Sequence, residues 1–144
     1  MIANWYIAEI IMEITVANDV RNVVHHNFFL ISANSPDEAY EKAIKIGKES
    51  ESDYHNPQDK PVETRFIGIA DLDVIQDNLA DGAEVLFHYA VGVSPEQVRS
   101  LARSKEQLRA FLPPKRAEGP DCASSEIVDL VEKQFGIARP SKAN

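Results

Sequence analysis

A chain of 144 residues with 23 acidic against 15 basic side chains carries a net charge of −8, which disfavours nonspecific attraction to nucleic acid or an anionic membrane. Its length suits one compact domain with an extension, burying about two thirds of the unfolded surface without a metal or a disulfide framework. The lone Cys122 has no second cysteine to pair with, no apolar run approaches the about 20 residues of a membrane helix, and no secretory leader is legible, so a cytoplasmic protein is expected.

From Trp5 to Val16 the even positions are all apolar (Tyr6, Ala8, Ile10, Met12, Ile14, Val16), while the odd ones mix Glu9, Glu13 and Thr15 with Trp5, Ile7 and Ile11. A period of two is that of a strand. Asn18-Asp19 marks a turn, and Val23 to Ala33 reads as the returning strand. A turn centred between Asp19 and Val20 sets Ile10 opposite Phe29, Ile11 opposite Phe28 and Glu13 opposite His26. Trp5, Ile7, Ile11, Phe28 and Leu30 then gather on one side of the sheet, away from the all-apolar parity.

Ser35-Pro36-Asp37-Glu38 opens a helix: Ser35 caps free amides, Pro36 fits the first helical position and Glu38 reaches back to close a capping box. Ala39, Ala43 and Ile46 form its apolar stripe, and Gly47 is expected to stop it. The polar stretch Lys48 to Lys60 reads as a loop with a turn at Asn56-Pro57. Val62 to Ile75 follows as a third strand. Phe66, Gly68, Ala70, Leu72 and Val74 share one parity there, and Gly68 and Ala70 leave room for the Ala39/Ala43 side of the helix. Asp81-Gly82 gives a turn into a fourth strand, Ala83 to Val91, with Ala83, Val85, Phe87, Tyr89 and Val91 on one face.

Beyond Gly92 the pattern changes to helix. Ser94-Pro95-Glu96-Gln97 repeats the cap signature before Val98, Leu101, Leu108 and Leu112, a helix ended by Pro113-Pro114. A linker from Lys115 to Pro120 leads to a last helix capped by Ser124 or Ser125. Ile127, Leu130, Val131 and Phe135 are its apolar side, Gly136 its stop, and the tail from Arg139 is expected to fray. The fold class is therefore α+β: an antiparallel sheet of two β-hairpins joined by a crossover helix (ββαββ) over residues 1–92, then two C-terminal helices in residues 93–144 packed on the same domain.

The Trp5-Tyr6 strand, the run Leu30-Ile31-Ser32-Ala33-Asn34-Ser35-Pro36-Asp37-Glu38-Ala39, the Phe66-Ile67-Gly68-Ile69 strand and Asp81-Gly82-Ala83-Glu84-Val85 together resemble the bacterial domain-of-unknown-function family numbered 4288, over about residues 4–91. The resemblance implies a small soluble α+β domain. It brings no activity, cofactor or catalytic set with it, and the helices after Gly92 fall outside it.

Among residues able to carry chemistry, His26 with Glu13 and the more distant His88 form the candidate ligand or metal set, while His25 diverges to the opposite face from His26. Two or three such ligands fall short of a usual metal site, so no metal and no cofactor are expected. Asp71 and Asp73 share one side of their strand and read as a polar guard on it. No serine sits in a nucleophile elbow, and the glycines do not cluster into a phosphate loop. The leading functional expectation is a binding or assembly module that self-associates as a homodimer through Trp5, Ile7, Ile11, Phe28 and Leu30, with no nucleic-acid or membrane partner. The alternative is a ligand-binding protein or enzyme with a polar site at His26, Glu13 and His88. An RNA-binding sheet is a third reading, opposed by the acidic balance.

Overall fold

The structure, a computed structural model, describes residues 4–113 and 118–135. Pro114, the start of the linker at Lys115, Gly136 and the tail from Arg139 lie outside the described residues. The chain divides into two compact units, one running to Val85 and resuming at Gly119, the other Leu86–Glu118.

The first unit is built on a four-stranded antiparallel sheet in the order β2-β1-β4-β3, with β1 Asn4–Val16, β2 Val23–Ala33, β3 Ser52–His55 and β4 Pro61–Val74. Helix α1, Pro36–Glu49, crosses between β2 and β3. The expected ββαββ architecture is thus present, with the second hairpin made by a different pair of segments. The polar stretch read as a loop supplies β3, whose only apolar residue, Tyr54, is too little to register as a periodic strand. The expected strand Ala83–Val91 does not form. It needed a regular free edge on β4, and that edge is taken by β3 at Pro61–Thr64 and closed off further along by carboxylates.

The β1–β2 register is displaced by two residues from the expected one: Ile10 lies opposite Asn27, Ile11 opposite His26 and Glu13 opposite Val24. The cause is the turn. Asn18, not Asp19 or Val20, takes the left-handed conformation (φ 64°), and the Asp19 amide donates to the Val16 carbonyl at 3.1 Å. Asp19 then holds the rest of the loop by accepting from Arg21, which pulls its carboxyl down to about 2.

The even side chains of β1 form the core face. Tyr6, Ala8, Ile10 and Met12 pack with Ile31 and Ala33 under Ala39 and Ala43 of α1. Ser35 caps the helix by accepting from the Glu38 amide at 3.1 Å, while the Glu38 carboxylate reaches past the cap to the Asn34 amide at 2.9 Å. Gly47 does not end α1. It is buried within the helix, two residues before the end, because the Phe66 ring of β4 lies directly over it. Gly68 and Ala70 play no such role, since two β-bulges interrupt β4 between its Glu9 and Met12 registers and turn Gly68 opposite Ile11 on the far face.

The core face continues past the end of α1. Ile14, Val16 and Val62 form a second cluster against Val23, Tyr54 and Cys122, so the segment after Gly119 shields the stretch the helix does not reach. Asn56, buried in the β3–β4 turn, fixes that segment. Its amide oxygen accepts from the Gln58 and Lys60 amides (3.0 and 2.9 Å), and its Nδ2 donates to the Asp121 carbonyl at 3.0 Å. The Tyr54 hydroxyl donates to the Cys122 carbonyl beside it. Helix α3, Ser125–Phe135, follows, its first turn closed from Val128 to the Ser124 carbonyl.

In the second unit the cap read at Ser94 is present as a full capping box with Gln97, opening helix α2, Pro95–Leu101. The helix does not run on to Pro113. It stops at Leu101 and gives way to single 3-10 turns at Lys105–Gln107 and Arg109–Phe111. Each turn follows a residue in extended conformation, and the Gln107 side chain accepts from the Ser104 amide at 3.2 Å, which restarts the chain instead of continuing the helix.

Gly47→Ala tests the contact that positions α1. An added Cβ would fall within 2.8 Å of the Phe66 Cγ and closer to two other ring atoms. Alanine improves helix propensity by about 1 kcal/mol, whereas overpacking a filled site costs about 1–3 kcal/mol, so a net loss is expected in urea denaturation. Phe66→Leu in the same chain should recover part of it. Asn56→Ala is expected to cost about 2–4 kcal/mol through its lost buried hydrogen bonds, and to speed alkylation of Cys122 as the segment loosens.

Candidate functional site

The odd side chains of β1 point to the other face of the sheet. Trp5, Ile7, Glu9, Ile11 and Glu13 stand there in a row, flanked on β2 by Val24, His26, Phe28 and Leu30. Across β1 on the other side lie Asp73, Asp71, Gly68 and Arg65 of β4. The extra residue of one bulge, Ile67, sits beside Gly68. Trp5 is 42 % exposed, Leu30 53 %, Phe28 54 % and Ile67 60 %. Both pieces of the first unit described as packing on the sheet, α1 and the segment around Cys122, lie on the opposite face.

The five residues expected at an apolar surface are therefore brought together. Their shared face survives the register shift because a displacement of two preserves parity. Ile67 was not singled out in the sequence, although its parity, opposite to that of Phe66, already set it on this face; it stands beside Gly68 at one of the bulges. Isolated exposed apolar residues are ordinary on a protein surface; here several stand on adjacent strands of one face, with Glu9 and His26 among them.

The polar groups on this face partner each other. His26 Nδ1 lies 2.8 Å from Glu9 Oε1, so the acid facing His26 is Glu9 and not Glu13. Glu13 instead accepts from the Asn22 side chain at 2.7 Å. Arg65 is held by Asp53 at 2.8 Å, with Glu63 at 3.5 Å. His88 belongs to the second unit. Among the described residues no group of three or more His, Cys, Asp or Glu side chains is placed to hold a metal ion.

Other places for chemistry are equally occupied. A shallow groove of about 300 Å³ between α1 and β2 is lined by Leu30, Ile31, Lys42, Lys45, Ile46 and Glu49. Lys42 donates to the Ser32 carbonyl at 2.6 Å and lies 3.4 Å from Glu38, and Lys45 lies 3.8 Å from Glu49. Burial pushes the Cys122 thiol up, with the Asp121 and Asp19 carboxylates adding to the effect, which is the reverse of what a nucleophilic cysteine needs. No described helix is long and apolar enough to cross a membrane.

Asp71 and Asp73 act on the backbone. Each accepts from the amide of the following residue, Leu72 at 2.9 Å and Val74 at 2.8 Å, and Glu51 does the same for Phe66 at 3.1 Å. These amides face away from β1, so the carboxylates close an edge that would otherwise invite another strand. Replacing Asp71 and Asp73 together by alanine is expected to leave the urea midpoint nearly unchanged and to raise light scattering on concentration, as the freed amides pair between molecules.

The chain belongs to the family described as a domain of unknown function (DUF4288), whose model matches residues 5–87, in agreement with the resemblance carried by its strands and capped helix. Neither the curated proteins nor the solved structures contain a match to it.

Proposed function

For this member of DUF4288 we propose a role as an assembly module that associates with further copies of itself through the open face of the sheet. One observation carries the reading: Trp5, Ile7, Ile11, Phe28, Leu30 and Ile67 lie together on the face opposite α1, and the largest of them are about half exposed. Covering such side chains contributes about 25 cal/mol per Å² of apolar area removed from water. Glu9 with His26 and Glu13 with Asn22 are already hydrogen-bonded within the face, which lowers the cost of covering them, while Asp71 and Asp73 stand at its β4 side. Two such faces would stack as a sandwich about 10 Å thick, the spacing at which sheets interdigitate.

The polar site of His26, Glu13 and His88 gains no support as a rival, since the first two are engaged by Glu9 and Asn22. A reducing, cytoplasmic compartment is the proposed setting for a chain whose single cysteine has no second one to pair with.

Sedimentation velocity at micromolar concentration tests the proposal. The wild type is expected to exceed the 16.1 kDa of one chain. Ile67→Glu, at the β4 border of the face and outside the core, is expected to lower the associated mass at least by half with little change in unfolding midpoint. A wild type that stays monomeric, or an Ile67→Glu variant of unchanged mass, overturns it.

A further inference from the structure

The two edges of the sheet are treated differently. On the β4 side the outward amides of Phe66, Leu72 and Val74 are bonded to carboxylates, two bulges break the line, and β3 covers the beginning of the strand. On the β2 side, eleven residues run as an edge without a bulge.

Which groups β2 presents follows from its geometry. In an antiparallel strand the N–H and C=O of one residue point to the same side, and alternate residues point to opposite sides. The Ser32 carbonyl faces away from β1, since Lys42 reaches it at 2.6 Å. Trp5 of β1 turns its carbonyl to the β4 side, accepting from Ile75 at 2.8 Å, so the even residues of β1 face β2 and are paired with its odd ones. Val24, His26, Phe28 and Leu30 therefore direct their backbone groups outward with Ser32. Among the described residues, Lys42 on Ser32 is the one side-chain bond to this outward row.

We infer that β2 pairs with β2 of a second copy, antiparallel and about a two-fold axis at Asn27, to make one continuous eight-stranded sheet. The partner is a second copy because of charge. The chain carries −8, and like surfaces repel over most of it, yet no Asp, Glu, Lys or Arg occurs from Asn22 to Pro36. The open stretch is also complementary to itself. With Lys42 holding Ser32, the free row runs from Val24 to Leu30, and rotation about Asn27 sets Val24 opposite Leu30 of the second copy and His26 opposite Phe28 of the second copy. Both helices then lie on one side of the joined sheet, and the two open faces merge on the other. The edge contact goes beyond the face contact proposed above and does not depend on it.

Amide exchange followed by NMR reads this edge directly. In an isolated chain the amides of Val24, His26, Phe28 and Leu30 exchange freely, while the odd residues of β2 are protected by β1. In the paired sheet these four are expected to slow by about tenfold or more as protein concentration rises through the association range. His26→Pro removes one outward N–H at a position where an edge strand tolerates proline, and is expected to restore fast exchange at the other three and to halve the associated mass. Combined with Ile67→Glu it should leave a monomer. Fast exchange of the four amides in an associated wild type overturns the edge pairing and leaves the face contact standing. Slow exchange in a protein whose mass Ile67→Glu does not change supports the edge and removes the face. A wild type monomeric at all concentrations overturns both.

Discussion

The position of β1 between β2 and β4 is the constraint from which the rest follows. With a neighbour on each side its backbone groups are committed to hydrogen bonds over nearly its whole length, and only its two faces remain to be covered. Its even residues form a continuously buried row from Tyr6 to Val16, the deepest among the described residues. A single fourteen-residue helix spans about 21 Å, whereas a thirteen-residue strand spans about 43 Å. The helix therefore covers part of the row, and the chain returns after Gly119 to cover the remainder through Tyr54, Asn56 and Cys122.

That use of the C-terminal segment is informative about the opposite face. The described segment completes the core side of the sheet and leaves Trp5, Phe28, Leu30 and Ile67 half in water. Glu9 and His26 sit among them 2.8 Å apart as a hydrogen-bonded pair, an arrangement more compatible with removal from water than a lone carboxylate. The sheet edges show the same division of labour. Carboxylates of Asp71, Asp73 and Glu51 are bonded to outward amides of β4, and β2, which has no Asp, Glu, Lys or Arg, is left open.

Several polar residues of the first unit are engaged in structural hydrogen bonds. Asp71 and Asp73 close a backbone edge, Asn56 ties a turn to a distant segment, and Asp19 organises the β1–β2 loop by holding Arg21. Cys122 is a packing residue whose thiol is moved away from reactivity by burial. What distinguishes the first unit is therefore the sheet face that its own described helix and C-terminal segment leave open, opposite α1 and Cys122.

By itself the sequence determined the elements whose signals are local. The alternation of β1 assigns its two faces, the Ser35-Pro36 cap starts α1, the Ser94/Gln97 box starts α2, and parity alone gathers Trp5, Ile7, Ile11, Phe28 and Leu30 even when the register is misjudged by two. Tertiary structure decided whatever depends on a neighbour. Gly47 reads as a helix stop until Phe66 is seen to need the space above it, and Ala83–Val91 reads as a strand until the β4 edge is seen to be closed. Ser52–His55 becomes a strand only because the Asn56 turn brings it to β4, and Gly68 is turned from the helix side to the open face only through the bulges. Periodicity records how a segment divides its own side chains between two faces; it carries no record of which edge is free to receive that segment.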